Sequence, residues 1–244
     1  MNDTVMAALL AALVAGLGGL LVPRLIARIP EPRPSADAPV DEGSDQPAKQ
    51  RYADIAARPG LGVRSALVSA LAGGLLGAAT GIDWPLLWLV PLVPVAVALS
   101  VVDWHTKLLP RIVVLPATLA AILAVTAVGL ATDQREALVR ALVAMVVTRS
   151  FFWVLWFVRS AGMGFGDVRL AAPVGLVLGW LGWDALAIGV WTAFVVFALP
   201  ALVLAVVRRD RAMLKKSFPF GPFMVVGALV GLVWGTALAG RIWG

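Results

Sequence analysis

The strongest constraint in this chain is a series of apolar runs at residues 4–22, 65–82, 85–102, 112–131, 138–158, 170–183, 185–206 and 220–240. At 1.5 Å of rise per residue, most are long enough to cross a hydrocarbon core of about 30 Å as α-helices. The predicted fold is therefore an all-α polytopic membrane bundle of about eight transmembrane helices. The 170–183 run is the shortest, and it counts as a span only if Gly182, Trp183 and Asp184 form a tight outer turn. Composition agrees: 61% of the 244 residues are hydrophobic and 14% charged, against roughly 45–50% and 25% in soluble domains. A water-soluble enzyme, a disordered protein and a disulfide scaffold are excluded. With no cysteine, thiol catalysis and cysteine-ligated zinc or iron–sulfur sites are excluded as well.

The basic residues predict orientation. With the N-terminus outside, segments 23–64, 103–111, 159–169 and 207–219 are cytoplasmic and hold 16 of the 20 Lys and Arg. Cytoplasmic loops collect such residues, so the net charge of +6 points to membrane topology and away from nucleic acid. Residues 1–29 are expected to be a retained transmembrane anchor, since only Asp3 and no basic residue precedes the first run. Residues 30–64 read as a proline-rich cytoplasmic linker; 30–59 alone hold six of the 16 prolines and six of the 14 acids. Residues 65–244 form the transmembrane core. Glycines four apart (Gly73, Gly77, Gly81; Gly175, Gly179; Gly227, Gly231, Gly235) are expected to pack helices closely within the bundle. Trp84, Trp88, Trp104, Trp180, Trp183 and Trp243 are expected to anchor at the membrane interfaces.

Charge is expensive at membrane depth, so acidic residues are where chemistry is sought. Most lie in the linker, in outer turns or near termini. Asp103, in Val101-Val102-Asp103-Trp104-His105, and Asp167, closing Gly162-Met163-Gly164-Phe165-Gly166-Asp167, both fall at predicted cytoplasmic helix ends. Two carboxyls at a partly dry site share a proton, so one can activate a water while the other protonates the carbonyl under attack. That chemistry cleaves peptides without a metal or other cofactor. Glycines at 162, 164 and 166 are expected to allow backbone conformations closed to other residues and close approach of an extended peptide.

In this order, Asp103 with Leu109-Pro110, the Gly162–Leu170 stretch and Pro219-Phe220-Gly221-Pro222-Phe223 resemble the type IV prepilin peptidases, intramembrane aspartic proteases of the Gly-x-Gly-Asp group. The resemblance spans roughly residues 65–240. It implies that Asp103 and Asp167 are the catalytic pair, that Gly164 and Gly166 are the motif glycines, and that Pro219, Phe220, Gly221 and Pro222 lie near the site. It also implies cleavage of the basic leader of prepilin or pseudopilin substrates after a glycine, at the cytoplasmic face of the bacterial inner membrane. Arg111 stands where the family often has aspartate, beside Pro110, a change that bears on substrate contacts. Many members methylate the new N-terminus and carry a domain with four zinc-binding cysteines after the first helix. Here the linker takes that place, so the residues support proteolysis and leave methyl transfer doubtful.

His105 is the only histidine and cannot build a metal site alone. Lys107 and Arg111 read as topology markers, and the Arg208–Lys216 run as a stop signal and headgroup contact. Arg149 sits unexpectedly within the fifth run. One rival reading is a transporter using Asp103 and Asp167 as cation or proton sites. Such sites usually lie near the midplane between repeated halves, whereas these acids lie near one face and no repeat is visible. A silent scaffold is the other rival.

Overall fold

The computed structural model describes residues 2–31, 50–158, 163–207 and 219–243, and among them the chain is helical with no strand. Residues 32–49 of the expected linker, Gly162 and the Arg208–Lys216 run lie outside the described residues. The helices are α1 (Asp3–Leu20), α2 (Val22–Ala27), α3 (Tyr52–Ala56), α4 (Leu61–Thr80), α5 (Leu86–Thr106), α6 (Arg111–Ala131), α7 (Arg135–Val158), α8 (Phe165–Leu181), α9 (Trp183–Val207) and α10 (Gly221–Ile242). By length and composition, six are able to cross a membrane: α1 continuing into α2, then α4, α5, α6, α7 and α10; the Trp183–Leu199 part of α9 is apolar but shorter. With 17 residues, α8 reaches only roughly 26 Å. It is the central helix: every residue from Leu170 to Trp180 except Pro173 is buried. The fold is thus a polytopic all-α bundle.

Small residues set the pairing. α1 presents Ala7, Ala11, Ala15 and Gly19 to Ser65, Ser69, Gly73 and Gly77 of α4, each set at a spacing of four. A Cβ added at Gly73 would sit 2.6 Å from the Ala11 carbonyl oxygen. The α7–α8 and α9–α10 pairs follow the same rule. At Gly175 a Cβ would meet the Ala144 carbonyl oxygen at 2.7 Å, and at Gly231 the Ala185 carbonyl oxygen at 2.5 Å. Close backbone approach replaces the hydrophobic drive that lipid removes. Gly81 is different: it ends α4 at φ +72° with open space around it, a turn and not a contact.

Two departures from the sequence reading have clear causes. Trp88 and Trp180 are buried and pack edge to face at 5.1 Å inside the bundle, whereas Trp84, Trp104, Trp183 and Trp243 are exposed. Trp88 near the start of α5 and Trp180 near the end of α8 both fall on the buried faces of their helices, so each ring packs on the other and not on the interface. Likewise, the last part of the expected linker is folded. Tyr52 and Ile55, three apart on α3, bury themselves against Val22, Ile26, Val97 and Val102. Burial, then the neighbouring Glu31 carboxylate, pushes the Tyr52 phenol above its ordinary value, and Thr106 is its hydrogen-bonding partner.

At the opposite end of the bundle from Asp103, Arg140 of α7 donates from Nε to the Gly179 carbonyl at 2.9 Å and from Nη2 to the Trp180 carbonyl at 2.7 Å. These are last-turn carbonyls of α8, the negative end of its dipole. Gly175→Val is expected to destabilise the protein by about 1–3 kcal/mol through overpacking. Gly240→Val, with nothing within 4 Å, is expected to leave stability unchanged in thermal unfolding of the detergent-solubilised protein.

Candidate active site

Three helix ends meet at one end of the bundle, and each contributes one element of the site. Asp103 lies in the last turn of α5, whose C-cap is Lys107 at φ 54°, ψ 32°. The Lys107 amide closes that turn on the Asp103 carbonyl at 2.8 Å. A left-handed lysine costs roughly 1–2 kcal/mol, and it turns the chain sharply toward Leu109 and α6. Asp167 is the third residue of α8, with Gly164 at the N-cap. The Asp167 amide bonds the Gly164 carbonyl at 3.1 Å, and the Gly164 amide faces the Asp167 carboxylate. An acid at this position reaching back to the cap amide is half of a capping box, which gives the Gly-x-x-Asp spacing a local cause. Gly221 opens α10 and donates its amide to Asp103 Oδ2 at 2.9 Å.

Both carboxyls are withdrawn from solvent, Asp103 at 4% and Asp167 at 6% exposure, and the charge of Asp103 bears on Asp167. Asp103 and Asp167, 64 residues apart in sequence, are therefore brought together as expected from topology. The positive ends of α8 and α10 also lie at this site, where they favour negative charge.

The glycines act through space. A Cβ on Gly221 would lie 2.7 Å from Asp103 Oδ2 and 3.2 Å from its Cγ, so no side chain fits between the amide and the carboxylate. On Gly166 a Cβ would lie 2.8 Å from Leu109 Cβ, which locks the start of α8 against the α5–α6 connection. Gly164, by contrast, takes φ −71°, ψ 144°, extended backbone open to any residue. The conformational freedom expected there is not used.

Pro219 is buried, and Phe220 is the N-cap of α10. The Phe220 ring packs against Phe152, Phe194 and Phe197 at 5.8, 5.1 and 5.2 Å. That cluster seats Gly221 beneath Asp103. The sequence reading missed these partners, although Phe194 and Phe197, three apart on α9, form a visible pair. Pro222 occupies the first turn of α10, where a missing N–H costs nothing. Pro110 is the N-cap of α6 and Arg111 its exposed first residue.

Lys107 and Arg111 form no ion pair with Asp103 among the described residues. His105 uses both ring nitrogens away from the pair: Nδ1 donates to the Val101 carbonyl at 2.8 Å, and Nε2 accepts from Arg58. Arg149 is exposed on α7, outside the site.

Fold and site together define a polytopic helical membrane protein with two buried, interacting carboxyls at converging helix ends. The chain belongs to the type IV leader peptidase family, whose model matches residues 90–238. Similar proteins include the prepilin leader peptidase/N-methyltransferases of Aeromonas hydrophila (30% identical, over 59% of this chain and 48% of that one) and Stutzerimonas stutzeri (32%, over 57% and 46%). That of Burkholderia pseudomallei is 31% identical over 73% of this chain and 57% of its own. The chain thus spans about half the length of these relatives. No solved structure matches it.

Phe220→Ala is expected to destabilise the protein by about 3–5 kcal/mol, read as a lowered midpoint of thermal unfolding, while Phe220→Leu recovers most of that loss.

Proposed function

We propose that the protein is an intramembrane aspartic endopeptidase that removes the basic leader of prepilin or pseudopilin substrates after a glycine, at the cytoplasmic face of the bacterial plasma membrane. The observation that carries this reading is the meeting of Asp103 and Asp167 within a chain of the leader peptidase family. The concentration of Lys and Arg in segments 23–64, 103–111, 159–169 and 207–219 of the sequence supports a cytoplasmic site, an outside N-terminus and eight crossings.

In the reaction proposed here, a water lies between the two carboxyls. One carboxylate takes a proton from that water, and the water oxygen attacks the carbonyl carbon of the scissile peptide. The other carboxyl gives its proton to the carbonyl oxygen. As the tetrahedral intermediate collapses, the carboxyl that took the water's proton gives it to the leaving nitrogen, the C–N bond breaks, and one hydroxyl of the intermediate returns its proton to the other carboxylate, which restores the starting pair. The Gly221 amide holds one oxygen of Asp103, so the carboxyl plane keeps one orientation through the cycle. The substrate's apolar segment stays in the membrane, which restricts its approach and supplies part of the orientation a soluble protease obtains from a deep cleft. The reading covers proteolysis alone.

Co-expression with a prepilin tests it. Asp103→Asn and Asp167→Asn are each expected to lower processing at least a hundredfold with the unfolding midpoint retained; full processing by either variant overturns the mechanism. Mass spectrometry of the mature N-terminus reads the cleavage position and any methyl group at once. Gly221→Ala is expected to slow processing tenfold or more, because its methyl group displaces the Asp103 carboxylate, with little change in substrate KM.

A further inference from the structure

At the far end of the bundle from the two carboxyls, α7 and the α8–α9 turn enclose a groove of about 470 Å³. Arg135, Glu136, Val139, Arg140, Val143 and Trp183 line it. Steps of three and four lead from Glu136 to Val139 and Arg140, and from these to Val143, so the four share one helix face. Trp183, the first residue of α9, closes the other side with its ring half exposed. It follows Gly182, which ends α8 at φ +152° with nothing within 4 Å, and this turn carries the indole to the groove.

The groove has a polar mouth and an apolar floor, in the order a bilayer demands. Arg135 and Glu136 open α7, a helix long and apolar enough to cross a membrane. Val139 and Val143 follow one and two turns further along it. An exposed indole at the end of a spanning helix sits at headgroup level. The guanidiniums and the carboxylate therefore face headgroups, while the valines face the start of the acyl chains.

The donors and acceptors define what fits. Arg140 has five N–H groups, and its Nε and Nη2 each give one to the Gly179 and Trp180 carbonyls. Those two bonds fix the guanidinium plane and leave its other N–H groups unspent among the described residues. Nε of Arg135 lies 3.1 Å from Asp133 Oδ1, which holds that side chain at the mouth. The Glu136 carboxylate forms no ion pair among the described residues. Counted with Asp133, the mouth balances its positive and negative groups. A fitting ligand must accept at the arginines, donate at Glu136 one turn away, and carry no net charge.

We propose that this groove binds the headgroup of one phosphatidylethanolamine molecule. The phosphate accepts from Arg140 and Arg135, a pairing that guanidinium geometry favours. The primary ammonium, two carbons from the phosphate, donates to Glu136. The glycerol esters and first acyl carbons lie over Val139 and Val143, against the Trp183 ring. A choline headgroup has no N–H to give Glu136, and a glycerol headgroup brings a net negative charge to a carboxylate. The bound lipid ties α7 to the α8–α9 turn, at the joint where the short α8 ends. It involves neither Asp103 nor Asp167, so the site stands independently of the peptidase reading.

Native mass spectrometry of the full chain tests this, in detergent micelles supplemented with dioleoyl phosphatidylethanolamine, phosphatidylcholine or phosphatidylglycerol. The parent is expected to retain one phosphatidylethanolamine with a Kd about tenfold below those of the other two lipids. Arg140 holds α8 and is left intact; the exposed Glu136 is changed instead. Glu136→Gln is expected to remove the preference over phosphatidylglycerol, and Glu136→Lys to reverse it. Both variants are expected to keep the parent's unfolding midpoint in lipid-free detergent. Arg241→Glu, a charge reversal at an exposed position at the same end of the bundle, is expected to leave the preference unchanged.

Equal retention of the three lipids by the parent overturns the proposal, as does a preference for phosphatidylcholine or phosphatidylglycerol. So does a phosphatidylethanolamine preference that survives Glu136→Lys, or one that Arg241→Glu abolishes equally, which assigns it to surface charge. Glycerophosphoethanolamine carries the same headgroup without acyl chains and is expected not to displace the lipid at equal concentration. Displacement by it assigns the groove to a soluble phosphate ester and overturns the lipid site.

Discussion

A carboxyl group taken out of water beside lipid is costly unless a donor reaches it, and at Asp103 that donor is a backbone amide. The Gly221 N–H approaches at 2.9 Å, which requires the start of α10 to lie directly against the last turn of α5. Much of the surrounding structure serves this approach. Gly221 must lack a side chain, Phe220 must be seated among Phe152, Phe194 and Phe197 to hold the loop, and α9 must lie close enough to α10 to supply two of those rings. The Ala185–Gly231 and Ala185–Gly235 contacts bring it there. A stripe of small residues, Gly227, Gly231 and Gly235, thus fixes the position of one hydrogen bond at the helix end.

Asp167 is handled differently. Its helix supplies its own amide through the Gly164 cap, and the Gly166–Leu109 contact fixes where that helix starts. Asp103 is held by a distant segment and Asp167 by its immediate neighbours, so the two carboxyls have unlike surroundings. Such a difference is what separates the roles of acid and base in a pair.

Long apolar runs made the bundle legible in the sequence, and the two aspartates stood out because so few acids fall outside loops. The glycines of α4, α8 and α10 announced helix contacts by their spacing, since period four is a local property of one chain segment. What spacing could not show was partner choice. Nothing in Gly175 names Ala144 as its neighbour, nor does Trp88 name Trp180, because such pairings arise only when helices distant in sequence meet. Composition also misled at residues 52–55: prolines and acids dominate the surrounding stretch, and two buried side chains three apart are too short a pattern to outweigh them. Arg140 of α7 holds the end of α8, a role set by tertiary contact with the Gly179 and Trp180 carbonyls and by nothing in its local sequence.

The folded segment at Tyr52 has a consequence for how this architecture accepts change. Glu31 receives the Ala53 amide at 3.2 Å, and Arg58 bonds Gln50 at 2.7 Å while reaching His105 on α5. The chain therefore leaves and re-enters the bundle through one narrow neck. For a segment hung from a closed neck, doubling its length costs only about 0.6 kcal/mol of closure entropy. Because both sides of the neck are bonded independently of residues 32–49, a change of length between residues 31 and 50 is expected to cost closure entropy in that segment and to leave the seat of the Asp103 helix in place. On that arithmetic this is the point where the chain tolerates insertion at least cost to the chemistry beside it.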